Sequence, residues 1–216
     1  MVTALLSPLA SQAAISVSGT RVIYEESSNE TPLTVRNTAD GSIYLIRSWI
    51  DKEGNQSAPF TITPPLFRID SGQENAIRIT KTDTSSLPQD RESLFWLNIM
   101  AIPPESDKKD SKLQFSLNTR IKLLFRPDSI NNKNQAQNAW EQLTFSRTSS
   151  GMKLKNPTPY YINIFSMKFD GVMVKEKAIT IPPMGDKVVV GTTGSRMTWS
   201  AINDYGGITK EMTRNL

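Results

Sequence analysis

The chain has 216 residues, 38% of them hydrophobic and 21% charged, with a net charge of +4; this is a globular composition, enough for one large domain or two of about 100 residues. It holds no cysteine and no histidine, which excludes disulfide staples and thiolate metal sites and removes the commonest general base and zinc ligand. Residues 14–126 carry 14 basic and 14 acidic side chains and residues 127–216 carry 11 and 7, too even a balance for a nucleic-acid binder.

The first 13 residues, "MVTALLSPLASQA", are uncharged, contain the apolar run "ALLSPLA" and end in the small-x-small triplet Ser11-Gln12-Ala13. They read as the remnant of a signal peptide, without the basic residue that usually precedes the apolar run. No other segment approaches the roughly 20 apolar residues of a membrane span. The mature chain is therefore expected to be exported, with no membrane insertion.

From Ile15 onward, short runs of alternating apolar residues follow one another: "ISVSGTRVIY", "PLTVRN", "IYLIRSWID", "FTITPPLFRI", "NAIRITKT", "LFWLNIMAIP" and "LQFSLNTRIKLLFRP". They predict about seven strands, with turn signals at Asn37–Gly41 and Glu53–Asn55, and hence an antiparallel sandwich. Pro64-Pro65 and Pro103-Pro104 mark strand interruptions or ends. The segment "DSINNKNQAQNAW" after Pro127 breaks the pattern and reads as a linker or short irregular connection. A second set of strands follows: "LTFSR", "MKLKNP", "YYINIFSMKF", "KAITIPP", "KVVVGTT", "RMTWSAIN" and "GITKEMT". The expected domains are thus residues 14–126 and 127–216, both all-β, with a cleft between them.

The run "LQFSLNTRIKLLFRP" is unusual for its length. Leu113, Phe115, Leu117, Thr119, Ile121, Leu123 and Phe125 share one face, opposite Gln114, Ser116, Asn118, Arg120, Lys122 and Arg126. At about 3.3 Å per residue it spans nearly 50 Å, against roughly 20 Å for an ordinary strand, so part of the apolar face is expected to lie outside its own core. No catalytic constellation is visible. A serine nucleophile lacks a histidine base, "GTTG" at Gly191–Gly194 lacks the lysine and helix of a phosphate loop, and Asp90 with Glu92 in "DRES" looks more like a charged turn than a glycosidase pair.

Taken together, "GTRVIY", "YLIRSWID", "PFTITPPLFRI", "LPQDRESLFWLNIMAIPP", "RIKLLFRP", "NPTPYYINI" and "NDYGG" resemble, in this order, the periplasmic pilus (fimbrial) assembly chaperones. The resemblance covers about residues 15–207. It implies two immunoglobulin-like β-sandwich domains arranged as a boomerang, a periplasmic, non-enzymatic protein without cofactor or metal, and partners that are pilus subunits and an outer-membrane usher. By that resemblance Leu113, Phe115, Leu117, Thr119 and Ile121 form a donor strand that completes a subunit's sandwich. Arg21 and Lys122 anchor the subunit's C-terminal carboxylate, and Glu92, Arg126 and Asp204 form an interdomain charge cluster. The brief loop "PPESDKKDSK", Pro103–Lys112, and the lack of cysteine resemble the short-loop subclass. The short tail after Gly207 leaves the last strand of the second domain open. An exposed apolar edge favours a self-capping dimer in the free protein. The alternative reading is an adhesive or structural two-domain sandwich at the cell surface, built into a fibre.

Overall fold

The computed structural model describes residues 14–54, 58–104, 115–191 and 194–216. The expected leader, residues 1–13, residues 105–112 of the short loop, and Leu113 lie outside the described residues.

Nine strands precede Pro127: β1(Ile15–Val17), β2(Arg21–Glu25), β3(Glu30–Asn37), β4(Tyr44–Asp51), β5(Phe60–Thr63), β6(Leu66–Ile69), β7(Glu74–Lys81), β8(Ser93–Ile102) and β9(Leu117–Arg126). They form two sheets, ordered β1-β3-β7-β5 and β2-β9-β8-β4-β6. Alternate residues of each strand point inward, so Tyr24, Val35, Ile46, Ile77, Ile79, Phe95, Leu97, Leu123 and Phe125 meet in one core. Phe60 sits at its centre, with ring centroids 5.2 Å from Tyr24 and 5.1 Å from Phe95.

Two of the expected strands are each split between the sheets, which raises seven to nine. "FTITPPLFRI" breaks at Pro64-Pro65, leaving β5 in one sheet and β6 in the other. "ISVSGTRVIY" breaks at Gly19, whose φ of 152° is open to glycine and strained for other residues. There the chain leaves β3's side and crosses to the second sheet, where β2 runs parallel to β9. This corrects the expectation of a wholly antiparallel sandwich: a strand that changes sheets through one glycine keeps its heading and meets β9 in the same sense.

The second core is built from β10(Thr144–Thr148), β11(Gly151–Lys155), β12(Ile162–Phe169), β13(Val172–Met173), β14(Thr180–Ile181), β15(Asp186–Val190), β16(Arg196–Ala201) and β17(Met212–Asn215). The sheets run β10-β11-β15 and β13-β12-β16-β17, with β14 beside β12. Trp199 lies fully buried between Phe145 and Trp140, at 5.0 and 6.4 Å. The chain after Gly207 does supply a strand, β17, paired with Arg196–Trp199 of β16.

The segment after Pro127 is more ordered than a linker. It forms a 3-10 turn at Asp128–Ile130, helix α1(Lys133–Asn138) and a second 3-10 turn at Ala139–Gln142. Asn132 caps α1 by accepting from the Gln135 N–H at 3.1 Å. Ala139 and Trp140 then enter the second core. Six helical residues are too few to show a 3.6-residue period, and the apolar residues of the stretch, Ile130, Ala136, Ala139 and Trp140, are too few to reveal a helical face.

Candidate functional site

Strand β9 is paired unequally along its two sides. Against β8 the ladder runs from Leu117 opposite Ala101 to Phe125 opposite Ser93, whereas β2 covers only Lys122–Arg126. Among the described residues, Leu117–Ile121 therefore have a strand neighbour on one side and a free edge on the other. The core-side face changes character at the same place. Phe115 and Leu117 are 75% and 55% exposed, Thr119 is half-buried, Ile121 is 8% exposed, and Leu123 and Phe125 are fully enclosed. Ile121 thus already packs in the first core, and only Phe115 and Leu117 of the described apolar residues project from the edge.

The opposite face of the free half is held by side chains. Asp51 accepts from Arg120 Nη2 at 2.9 Å, from Asn98 Nδ2 at 2.6 Å and from the Gly54 N–H at 3.0 Å, and Asn118 Nδ2 donates to Asn98 Oδ1 at 3.1 Å. Arg120 lies 4.4 Å over the Trp96 ring. Burial pushes the Asp51 carboxyl up, but these donors outweigh it and hold the group below the usual carboxylate range. Sequence reasoning missed this network; its one signal was a polar residue inside each apolar run, Asn98 in "LNIM" and Asp51 in "SWID".

Where the free edge ends, two cations stand side by side. The β2–β9 register sets Arg21 directly opposite Lys122, so their side chains leave the sheet on one face. Both cross to the second core: Lys122 Nζ donates to Asn163 Oδ1 and to Thr180 Oγ1, the latter at 2.6 Å, and Arg21 Nη1 donates to the Ile202 carbonyl at 3.3 Å. Burial, and then the charge of Arg21, lower the Lys122 pKa to about 8. Burial also lowers that of Arg21, partly offset by Asp204 and Glu92. Those two carboxylates are bound to Arg126, and among the described residues Arg21 and Lys122 form no ion pair. Arg21 Nε and Asn163 Nδ2 are buried without a hydrogen-bond partner. An unsatisfied buried donor costs about 1–3 kcal/mol, so this cluster is chemically suited to an anion.

Arg126, 2% exposed, ties the two bodies together. Its Nε and Nη2 donate to Glu92 Oε1 at 2.8 and 2.7 Å, and Nη1 donates to Asp204 Oδ2 at 2.8 Å. Glu92 Oε2 accepts from the Tyr161 N–H at 2.7 Å, and Arg126 lies 5.3 Å over the Tyr160 ring. Glu92, Arg126 and Asp204 are thus brought together around one guanidinium. Asp90 and Glu92 share no site: Asp90 is an exposed partner of Arg91, while Glu92 is enclosed against Arg126. Among the described residues no group of three or more His, Cys, Asp or Glu side chains is placed to hold a metal, and no helix is long and apolar enough to cross a membrane.

Two immunoglobulin-like sandwiches, with an unpaired strand edge running up to a pair of cations, define the class: a two-domain all-β protein with one edge open to strand addition. Comparison with known proteins makes the class specific. The family model described as "Pili and flagellar-assembly chaperone, PapD N-terminal domain" matches residues 14–131, and that of "Pili assembly chaperone PapD, C-terminal domain" matches residues 138–213. The chain is 41% identical over 209 residues to the chaperone protein FocC of Escherichia coli, covering 94% of this chain and 90% of that one. It superimposes on the periplasmic chaperone SfaE with a TM-score of 0.76 at 39% identity, covering 92% and 98% of the two chains. It also superimposes on the structure titled as the Salmonella enterica SafA pilin in complex with the SafB chaperone, with a TM-score of 0.81 at 32% identity and coverage of 100% and 99%. The chain belongs to the PapD family of pilus assembly chaperones. These matches favour a chaperone over a surface-fibre component.

Proposed function

We propose that this chaperone works in the periplasm without catalysis, as a member of the short-loop subclass, and captures a pilus subunit by lending it the free edge of β9. The observation that carries the reading is the continuity of that edge, Leu117–Ile121, with the paired cations Arg21 and Lys122. A subunit strand laid along the edge gains main-chain hydrogen bonds, inserts Phe115, Leu117 and Leu113 into its own groove, and ends with its C-terminal carboxylate on the two cations. Full burial of a large apolar side chain contributes about 1.5–3 kcal/mol; Phe115 and Leu117, 75% and 55% exposed in the free chain, therefore have about 2–4 kcal/mol left to gain between them before ordering costs. The anchor fixes register, because a slip of one residue turns the apolar face away from the groove. Residues 14–126 act as the donor domain and residues 127–216 as the second. Glu92, Arg126 and Asp204 hold their angle, and Thr119 and Ile121 keep the donor strand in line. The loaded complex passes to an outer-membrane usher, and in the absence of a subunit the same edge pairs with a second copy of the chaperone.

Periplasmic co-expression with candidate subunits, followed by affinity purification and mass spectrometry, tests the reading. Arg21→Ala and Lys122→Ala should each abolish subunit co-purification while leaving a folded chaperone. A near-normal yield of complex from either variant overturns the anchor.

A further inference from the structure

The Lys122 ammonium has three N–H groups, and two of them are taken by neutral oxygens of the second core, Asn163 Oδ1 and Thr180 Oγ1. Thr180 Oγ1 in turn donates to the same Asn163 Oδ1 at 3.1 Å. Two donors on one oxygen fix the direction of the Asn163 amide, since turning it over would set its NH2 against an ammonium. Its Nδ2 then faces away from the lysine, enclosed and without a partner, as is Arg21 Nε. The Asn163 carbonyl accepts from the Ile202 N–H at 2.8 Å, and the Ile202 carbonyl accepts from Arg21. Arg21, Ile202, Asn163 and Lys122 therefore close a ring, which the β2–β9 register completes.

We propose that Asn163 is a positioning residue of the anchor: from the second domain it aims the Lys122 ammonium into the cleft with a neutral oxygen, which leaves the lysine's charge available to a carboxylate terminus. This rests on the reading of Arg21 and Lys122 as the anchor. A neutral acceptor holds an ammonium in place without cancelling its charge, so an incoming carboxylate, a stronger acceptor, takes over. An aspartate at the same position would give Lys122 a permanent counter-ion and repel a second carboxylate. Position 163 was not singled out by sequence reasoning, because an asparagine within "YYINIF" carries no charge signal.

The test uses the full chain and two probes, a strand-forming peptide of alternating valine and threonine ending in a free carboxylate, and the same peptide ending in an amide. Wild type should prefer the free acid by about tenfold or more. Asn163→Asp should lose that preference, bind the amide form as wild type does, and move the Lys122 titration, followed by side-chain NMR, upward from about 8. Asn163→Thr, which keeps a neutral oxygen, should retain most of the preference, and Asn163→Ala should lose most of it. If wild type binds both peptides equally, the anchor reading itself fails. If wild type discriminates and Asn163→Asp does so as strongly, the role of Asn163 is overturned and the anchor stands. Should Asn163→Asp not fold, Asn163→Ala decides in its place: a lost preference supports the role and an unchanged one overturns it.

Discussion

Leu117 and Ile121 lie on the same face of the same strand four residues apart, yet truncating them should have opposite consequences. Leu117 is 55% exposed, so about half of the 1.5–3 kcal/mol for burying a leucine remains to be gained from a partner, roughly 0.8–1.7 kcal/mol. Leu117→Ala should therefore weaken subunit binding about 4- to 15-fold and barely change the stability of the free chaperone. Ile121, 8% exposed and packed in the first core, should behave in the reverse way. Ile121→Ala opens a cavity and should cost the free protein about 2–5 kcal/mol, while the affinity of the remaining folded molecules changes little. Urea unfolding reports the first quantity and calorimetric titration with a purified subunit reports the second. Equal losses of stability in the two variants, or unchanged affinity in Leu117→Ala, would refute the division of β9 into a lent half and a core half.

Two further predictions follow from the charges. Lys122 has its pKa lowered to about 8 in the fold from an ordinary 10.5, so the unfolded chain binds more protons between those values and this group's contribution to stability rises with pH across that window. Capture of a carboxylate terminus should move the other way, flat below pH 8 and falling by up to about tenfold per unit above it as the ammonium discharges. Lys122→Met should flatten the stability profile, and capture that stays constant from pH 7 to 9.5 in wild type would exclude the lysine as anchor. Arg126→Ala leaves the enclosed Glu92 carboxylate unpaired and should cost about 3–5 kcal/mol in urea unfolding. Asp204→Asn, at the more exposed end of the cluster, should cost about 1 kcal/mol or less; equal costs for the two changes would contradict the buried arrangement.

The alternation of β9 made its faces readable from the sequence, and the surplus apolar length was itself the clue that Phe115 and Leu117 lie outside the core. What the opposite face meets was not readable. Arg126 lies on the face that carries Asn118 and Arg120, yet it is buried, because Asp204 and the Tyr160 ring of the second domain lie against it. A period of two assigns residues to faces but is silent on whether water or another domain lies against them. The parallel β2–β9 pairing depends on the backbone break at Gly19, a tertiary choice that strand propensity does not encode. Asn163 and Thr180 were invisible for a related reason: they matter only through the side chain of Lys122, which lies 41 and 58 residues away in the chain. The family resemblance supplied Arg21, Lys122, Glu92, Arg126 and Asp204, and the structure adds the neutral neighbours Asn163 and Thr180 around Lys122.

The claim that Leu117–Ile121 is a strand edge lent to a subunit is tested most directly by amide hydrogen exchange in the free chaperone and in its subunit complex. The amides of Leu117–Ile121 that face away from β8 should exchange quickly in the free protein and become protected in the complex, while those of Lys122–Arg126, already covered by β2, change little. Unaltered exchange across Leu117–Ile121 on complex formation would contradict the account.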